Sequence, residues 1–131
     1  MPQALISLAM LTHNINVIRS HLQATTNILV AIKANAYGHG ASRVGQHLES
    51  MGVNWFGVAT ANEALELRKS IKTNILMFSP VYENITELVD YNIALTVADE
   101  HSLETIQNAD LEKPAKVHLK VDTGMGRLGL P

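Results

Sequence analysis

Apolar residues recur along the chain in two alternating rhythms. Leu11, Ile15, Ile18 and Leu22 fall at helical spacing with polar residues between them, which predicts a first amphipathic helix over about Met10 to Gln23. Ile28-Leu29-Val30-Ala31-Ile32-Lys33 is then a short, nearly continuous apolar run, the pattern of a parallel strand buried on both faces. The unit repeats. Ala41 to Met51, with Val44, Leu48 and Met51 in phase, predicts a helix, and Val53 to Ala59 a second buried strand. Thr60 followed by Glu63 is the pattern of a capping box ahead of Ala64, Leu65 and Leu67. Ile75 to Phe78 reads as the third strand, Glu83 to Asp90 as a crossover helix and Ile93 to Val97 as the fourth strand. Asp99 then caps a helix carrying Leu103 and Ile106, and Val117 to Val121 is a fifth strand running into a glycine-rich turn, Gly124-Met125-Gly126.

Strands recurring every roughly 20 to 25 residues with helices between them form a βαβ series, with parallel strands and right-handed crossovers. Two architectures share this pattern. A doubly wound open sheet of five strands would be complete at this length, whereas a (β/α)8 barrel needs eight strands and typically ~250 residues. Length favours the open sheet. Against it, the fifth strand leads into a turn with no crossover helix after it, and the pattern alone leaves both architectures open.

The chain has 131 residues, 47% of them hydrophobic and 17% charged, a balance that suits one globular core. Its formal charge is −2, and its ten Lys and Arg are scattered, so no basic footprint for nucleic acid or an anionic membrane is visible. A small-molecule partner is the better expectation. The absence of cysteine excludes disulfides, thiolate chemistry and Cys-ligated zinc. The first residues lack the basic and apolar regions of a secretory signal, and no apolar run approaches the ~20 residues of a membrane span, so a cytoplasmic location is expected.

Lys33 falls at the carboxyl end of the first strand, where both parallel architectures place catalytic groups. A lysine desolvated by a buried strand can attack an aldehyde and form a Schiff base; the plain alternative is a lysine reaching past the strand end to solvent. The next residues, Ala34-Asn35-Ala36-Tyr37-Gly38-His39-Gly40, are small, glycine-bearing and polar, and such a loop lets backbone approach a ligand while Tyr37 offers a hydroxyl to an anion. An ordinary strand-to-helix turn would use similar residues. A second cluster, Lys120-Val121-Asp122-Thr123-Gly124-Met125-Gly126-Arg127, comes after the fifth strand on the same edge of a parallel sheet. Arg127 has the planar fork suited to a carboxylate or oxyanion, and Lys120 and Asp122 should share one strand face. The histidines lack the spacing of a helical metal site, so no metal is expected. Glu63, Glu66 and Arg68 read as a solvated helix face without chemistry.

Ala31-Ile32-Lys33-Ala34-Asn35-Ala36-Tyr37-Gly38-His39-Gly40 closely resembles the cofactor-lysine signature of alanine racemases, and Lys120 to Gly129 resembles a second signature of that family. Ala4 to Asn14 and Trp55 to Arg68 are similar to intervening family segments, so the likeness spans essentially the whole chain. It implies an α/β fold: a partial (β/α)8 TIM-type barrel of about five βα units, truncated after the fifth strand. Residues 1–131 would be the N-terminal portion of a barrel domain that binds pyridoxal 5′-phosphate (PLP), with the family's β-rich C-terminal domain absent. The resemblance further implies that Lys33 carries the PLP and acts as base on one face of the substrate. Tyr37 would contact the cofactor phosphate. Arg127 would bind the substrate carboxylate and the cofactor's phenolic oxygen, and Lys120 matches a position that carries a carbamate in many members. The activity implied is interconversion of L- and D-alanine by two bases, supplying D-alanine for peptidoglycan, in a homodimeric parent. The family's opposite-face tyrosine lies beyond residue 131, so the chain alone is expected to be inactive. The alternatives are a racemase for serine or several amino acids, and a PLP-binding barrel without turnover.

Overall fold

The computed structural model describes residues 1–131. Helix α1 (Leu8–Ser20) opens at Ser7, whose hydroxyl accepts a hydrogen bond from the Met10 N–H at 3.2 Å. That cap sets the helix two residues earlier than the apolar rhythm does, and such a cap contributes about 1 kcal/mol. Ile15 is the buried residue of α1, and a Thr12–His47 hydrogen bond of 2.8 Å ties the helix to α3 (Ala41–Ser50). Ile18 and Leu22 remain exposed.

Five parallel strands are arranged in sequential order: β1 (Leu29–Ala31), β2 (Trp55–Val58), β3 (Asn74–Met77), β4 (Ile93–Val97) and β5 (Val117–Leu119). Between Lys33 and Tyr37 the chain makes a single turn, α2; helices α4 (Ala61–Arg68), α5 (Ile85–Asp90) and α6 (Glu100–Gln107) supply the later crossovers. The order β1-β2-β3-β4-β5 contains no reversal, and a doubly wound sheet requires one. The sheet is also curled. Trp55 on β2 and His118 on β5 meet edge to face with centroids 5.4 Å apart, although two strands lie between theirs. In a flat sheet, strands three places apart are separated by about 14 Å. The structure is therefore a section of barrel wall, α/β with an unclosed sheet, and the open-sheet alternative falls.

Alternate strand residues build the core between sheet and helices. Phe56, Val58, Ile75, Met77, Ile93, Leu95 and Val97 pack with Leu48, Leu67, Leu88 and Ile106 in one buried cluster. Truncating one of the large aliphatic members costs about 2–5 kcal/mol. The other strand face carries Trp55, Gly57, Leu76, Ala94 and Thr96, and looks toward the barrel axis. β4, in mid-sheet, is buried throughout, as its unbroken apolar run predicts. β1 is not: Leu29 and Ala31 are exposed, because an edge strand of an unclosed wall has nothing opposite its inner face. All three residues of β5 are exposed: His118 shares the inner face with Thr96, whereas Val117 and Leu119, in register with Leu95 and Val97, lie on the helix side, where no helix follows β5 to cover them.

Two side chains tie the lower loops to this wall. The Arg68 guanidinium donates to the carbonyls of Tyr91 (3.0 Å), Asn92 (3.3 Å), Ile71 (3.3 Å) and Thr73 (2.8 Å), and Glu49 accepts from Lys72 N–H at 2.9 Å and from the Thr73 hydroxyl at 3.1 Å. Arg68 is thus an internal clamp, contrary to the solvated face its sequence context suggests. Glu66 does fit that description: it is exposed and pairs only with Lys69 at 2.6 Å.

Candidate active site

Lys33 leaves β1 immediately after Ile32, whose N–H donates to the Gly57 carbonyl at 2.8 Å and so extends the strand pairing by one residue. The segment after Lys33 differs from an ordinary strand-to-helix turn. Ala34, Asn35, Ala36 and Tyr37 all have φ between 50° and 54°, and α2 is consequently one left-handed turn. Its hydrogen bonds run from Ala36 N–H to Ile32 C=O (2.9 Å) and from Gly38 N–H to Ala34 C=O (3.1 Å). The left-handed region costs an L-residue about 1–2 kcal/mol, so four in succession store several. Short side chains limit the crowding, and asparagine tolerates the region best among non-glycine residues.

The surroundings offset the strain. Asn35 Oδ1 accepts from the Ala41 N–H at 2.9 Å and caps α3, which has no cap of its own at Gly40. Ala36 is buried against the core, and Glu63 Oε1 accepts from the Ala34 N–H at 2.9 Å. Strain of this kind, held by its neighbours, marks functional sites.

Lys33, Tyr37, Lys120 and Arg127 line one concave cavity of about 470 Å³ together with Ala31, Ala59, Phe78, Ser79 and Leu128. Lys33 and Lys120 are half-buried, while Tyr37 and Arg127 are exposed. The four polar groups come from opposite ends of the wall, β1 and β5, and the curl of the sheet brings them together. Three basic side chains and a phenol line the cavity without a carboxylate, a donor set that attracts anions. The volume lies in the range of small-ligand sites. Phe78 forms an apolar wall, and its ring covers the backbone of β2: a Cβ on Gly57 would fall inside it.

Asp122 does not share a strand face with Lys120. β5 ends at Leu119, and Asp122 Oδ1 accepts from the N–H groups of Gly124 and Gly126, both at 3.0 Å. The Gly126 and Gly124 N–H groups hold its carboxyl below the usual carboxylate range. The turn closes through Leu130 N–H to Lys120 C=O (2.9 Å) and Asp122 N–H to Leu130 C=O (2.7 Å). A Cβ on Gly129, at φ +127°, would come within 2.7 Å of the Asp122 nitrogen, so the return requires glycine. Asp122 thus organises the turn that presents Arg127 rather than lining the cavity.

Sequence reasoning missed Phe78, Ser79 and the contact of Glu63 with α2. Phe78 was legible in principle, since residues two apart on a strand share a face and Leu76 faces inward. Thr60 and Glu63 do form the capping box that their spacing predicts. The further bond of Glu63 to Ala34 spans 29 residues and carries no local signal. No three His, Asp or Glu side chains are grouped as a metal site, and no helix is long and apolar enough to cross a membrane.

Fold and cavity together define a class: a section of parallel α/β barrel with a basic, amine-bearing pocket at the carboxyl edge of its strands. The chain belongs to the alanine racemase family, matching the model described as alanine racemase, N-terminal domain, over residues 6–131. It is 44% identical over 124 residues to alanine racemase 1 of Caldanaerobacter subterraneus subsp. tengcongensis, covering 91% of this chain and 32% of that one. It is 41% identical over 128 residues to an amino-acid racemase of Enterococcus faecalis, covering 95% of this chain and 18% of the relative. Among solved structures, the Bacillus anthracis alanine racemase with bound L-Ala-P superposes with a TM-score of 0.88 at 31% identity, covering 95% of this chain and 33% of that chain. The chain thus spans about a third or less of the length of these relatives.

Proposed function

We propose that residues 1–131 are the N-terminal portion of the barrel domain of a PLP-dependent racemase that interconverts L- and D-alanine. The carrying observation is the convergence of Lys33, Tyr37, Lys120 and Arg127 on one cavity. That donor set fits PLP, which brings an aldehyde for an amine and a phosphate for cationic and hydroxyl donors. When bound, PLP supplies a conjugated ring that spreads the charge left when a proton leaves the substrate α-carbon. Lys33 holds the cofactor and moves a proton on one face of that carbon. Tyr37 binds the phosphate. Arg127 would orient the substrate carboxylate beside the cofactor, and Lys120, if it carried a carbamate, would orient Arg127 through a paired charge. A second proton carrier on the opposite face completes inversion. In the cell this activity would supply D-alanine for peptidoglycan from a cytoplasmic homodimer.

One observation favours a second reading. The Enterococcus relative is called an amino-acid racemase, and the residues of this cavity address the α-amino and α-carboxyl groups common to all amino acids. A panel of alanine, serine and other small amino acids, monitored by polarimetry on the full-length protein, separates a dedicated alanine racemase from a broader one. In the same assay Lys33→Ala should abolish both visible cofactor absorbance and racemisation. Retained racemisation would remove Lys33 from its role.

A further inference from the structure

Glu63 does not line the cavity, yet its carboxylate joins the two strand ends that do. Oε1 accepts from the Ala34 N–H at 2.9 Å, just past β1, and Oε2 accepts from the Ala59 N–H at 2.7 Å, just past β2. Oε2 also meets the Thr60 N–H at 3.3 Å, the capping-box contact. Capping α4 explains the Thr60 bond; it does not explain the bonds to Ala34 and Ala59.

The bond to Ala34 fixes the peptide on the carboxyl side of Lys33. On the amino side, the Ile32–Lys33 peptide is held by its carbonyl, which accepts from the Ala36 N–H at 2.9 Å. Lys33 therefore hangs between two pinned peptides, at the point where the chain enters the left-handed turn. The direction of its Cα–Cβ bond is set by those two anchors. Loss of the second would free the Lys33–Ala34 peptide to rotate out of the strained turn.

We propose that Glu63 is a positioning residue for Lys33: its carboxylate, shared between Ala34 and Ala59, aims the Lys33 amine into the cavity. This rests on the reading of Lys33 as the lysine that binds an aldehyde. The sequence context disguises the role, because the capping box already gives a glutamate at the third position of α4 a local reason to be there.

The test measures how fast Lys33 of the full-length protein condenses with added PLP, with no amino acid present. Condensation joins the Lys33 nitrogen to the aldehyde carbon as C=N and releases water; borohydride then reduces C=N to a stable C–N bond located by peptide mass spectrometry. Three variants are compared with wild type. Glu63→Gln has one carbonyl oxygen in place of two carboxylate oxygens and cannot serve all three donors. Thr60→Ala removes the other half of the capping box and leaves the acceptor of Ala34 in place. Glu63→Asp, in case the glutamine variant does not fold, keeps a carboxylate at the cap and withdraws it by one methylene from Ala34.

Glu63→Gln should slow condensation roughly ten- to a hundredfold, the scale on which a misplaced reacting group loses rate. It should also speed amide exchange at Ala34 in the cofactor-free protein. Glu63→Asp should do both more mildly, and Thr60→Ala should do neither. Wild-type condensation in the folded Glu63 variants would overturn the positioning role while leaving Lys33 as the modified residue. Equal slowing by Thr60→Ala would overturn it too, assigning the effect to the cap. If wild-type protein carries no modification at Lys33, the reading of Lys33 fails and the proposal falls with it.

Discussion

At the scale of single residues, Gly57 shows how an absent side chain shapes the cavity. The Phe78 ring lies across the β2 backbone where a methyl group would otherwise stand. Gly57→Ala must displace that ring, overpacking the cavity wall at a cost of about 1–3 kcal/mol. Because the ring lines the space that a ligand would occupy, PLP affinity should fall along with the melting temperature, and titration beside thermal unfolding measures both. A lower melting temperature with unchanged affinity would show that Phe78 yields in another direction. Arg127 illustrates the converse dependence, since a residue exposed on a glycine-rich turn is only as well placed as the turn itself.

That dependence belongs to the scale of elements. Asp122 holds its turn through the N–H groups of Gly124 and Gly126, and those bonds lower its pKa in the folded chain. A carboxyl with a depressed folded pKa contributes order above its unfolded value, about 3.9, and loses it as pH falls through the lower folded value. Amide exchange at Gly124 and Gly126 should therefore accelerate below about pH 4 beyond the intrinsic trend. In Asp122→Asn that added acid dependence should vanish; its persistence would mean another group holds the turn. Elements with local causes were legible in the sequence. Thr60 and Glu63 form their capping box, Asp99 caps α6, and β4 spans Ile93–Val97 as its apolar run predicts. Elements with distant causes were not. The left-handed turn after Lys33 depends on acceptors as far away as Glu63, β5 stops at Leu119 because the chain folds back through Leu130, and Arg68 serves carbonyls 23 and 24 residues on. The site divides in the same way: its four polar residues belong to motifs, and its walls and struts to tertiary packing.

At the scale of the whole molecule, the unclosed wall leaves the outer edges of β1 and β5 unpaired and exposes Leu29, Val117 and Leu119. Open edges with apolar side chains invite pairing with another chain. The 131-residue polypeptide on its own should therefore elute from gel filtration as associated species whose size rises with concentration; a sharp monomer at all concentrations would show that the edges are self-protecting. The strictly sequential strand order has another consequence, in the cell rather than in the test tube. Each strand pairs with the one made just before it, so no segment must wait for a distant partner. As the ribosome releases the chain from its amino end, β2 can meet β1 while β3 is still inside the ribosome, and the wall can grow from that end. A nascent chain that has emerged as far as Ala98 already contains β1 to β4, with Lys33, Glu63 and Phe78 outside the ribosome while Arg127 is still inside it.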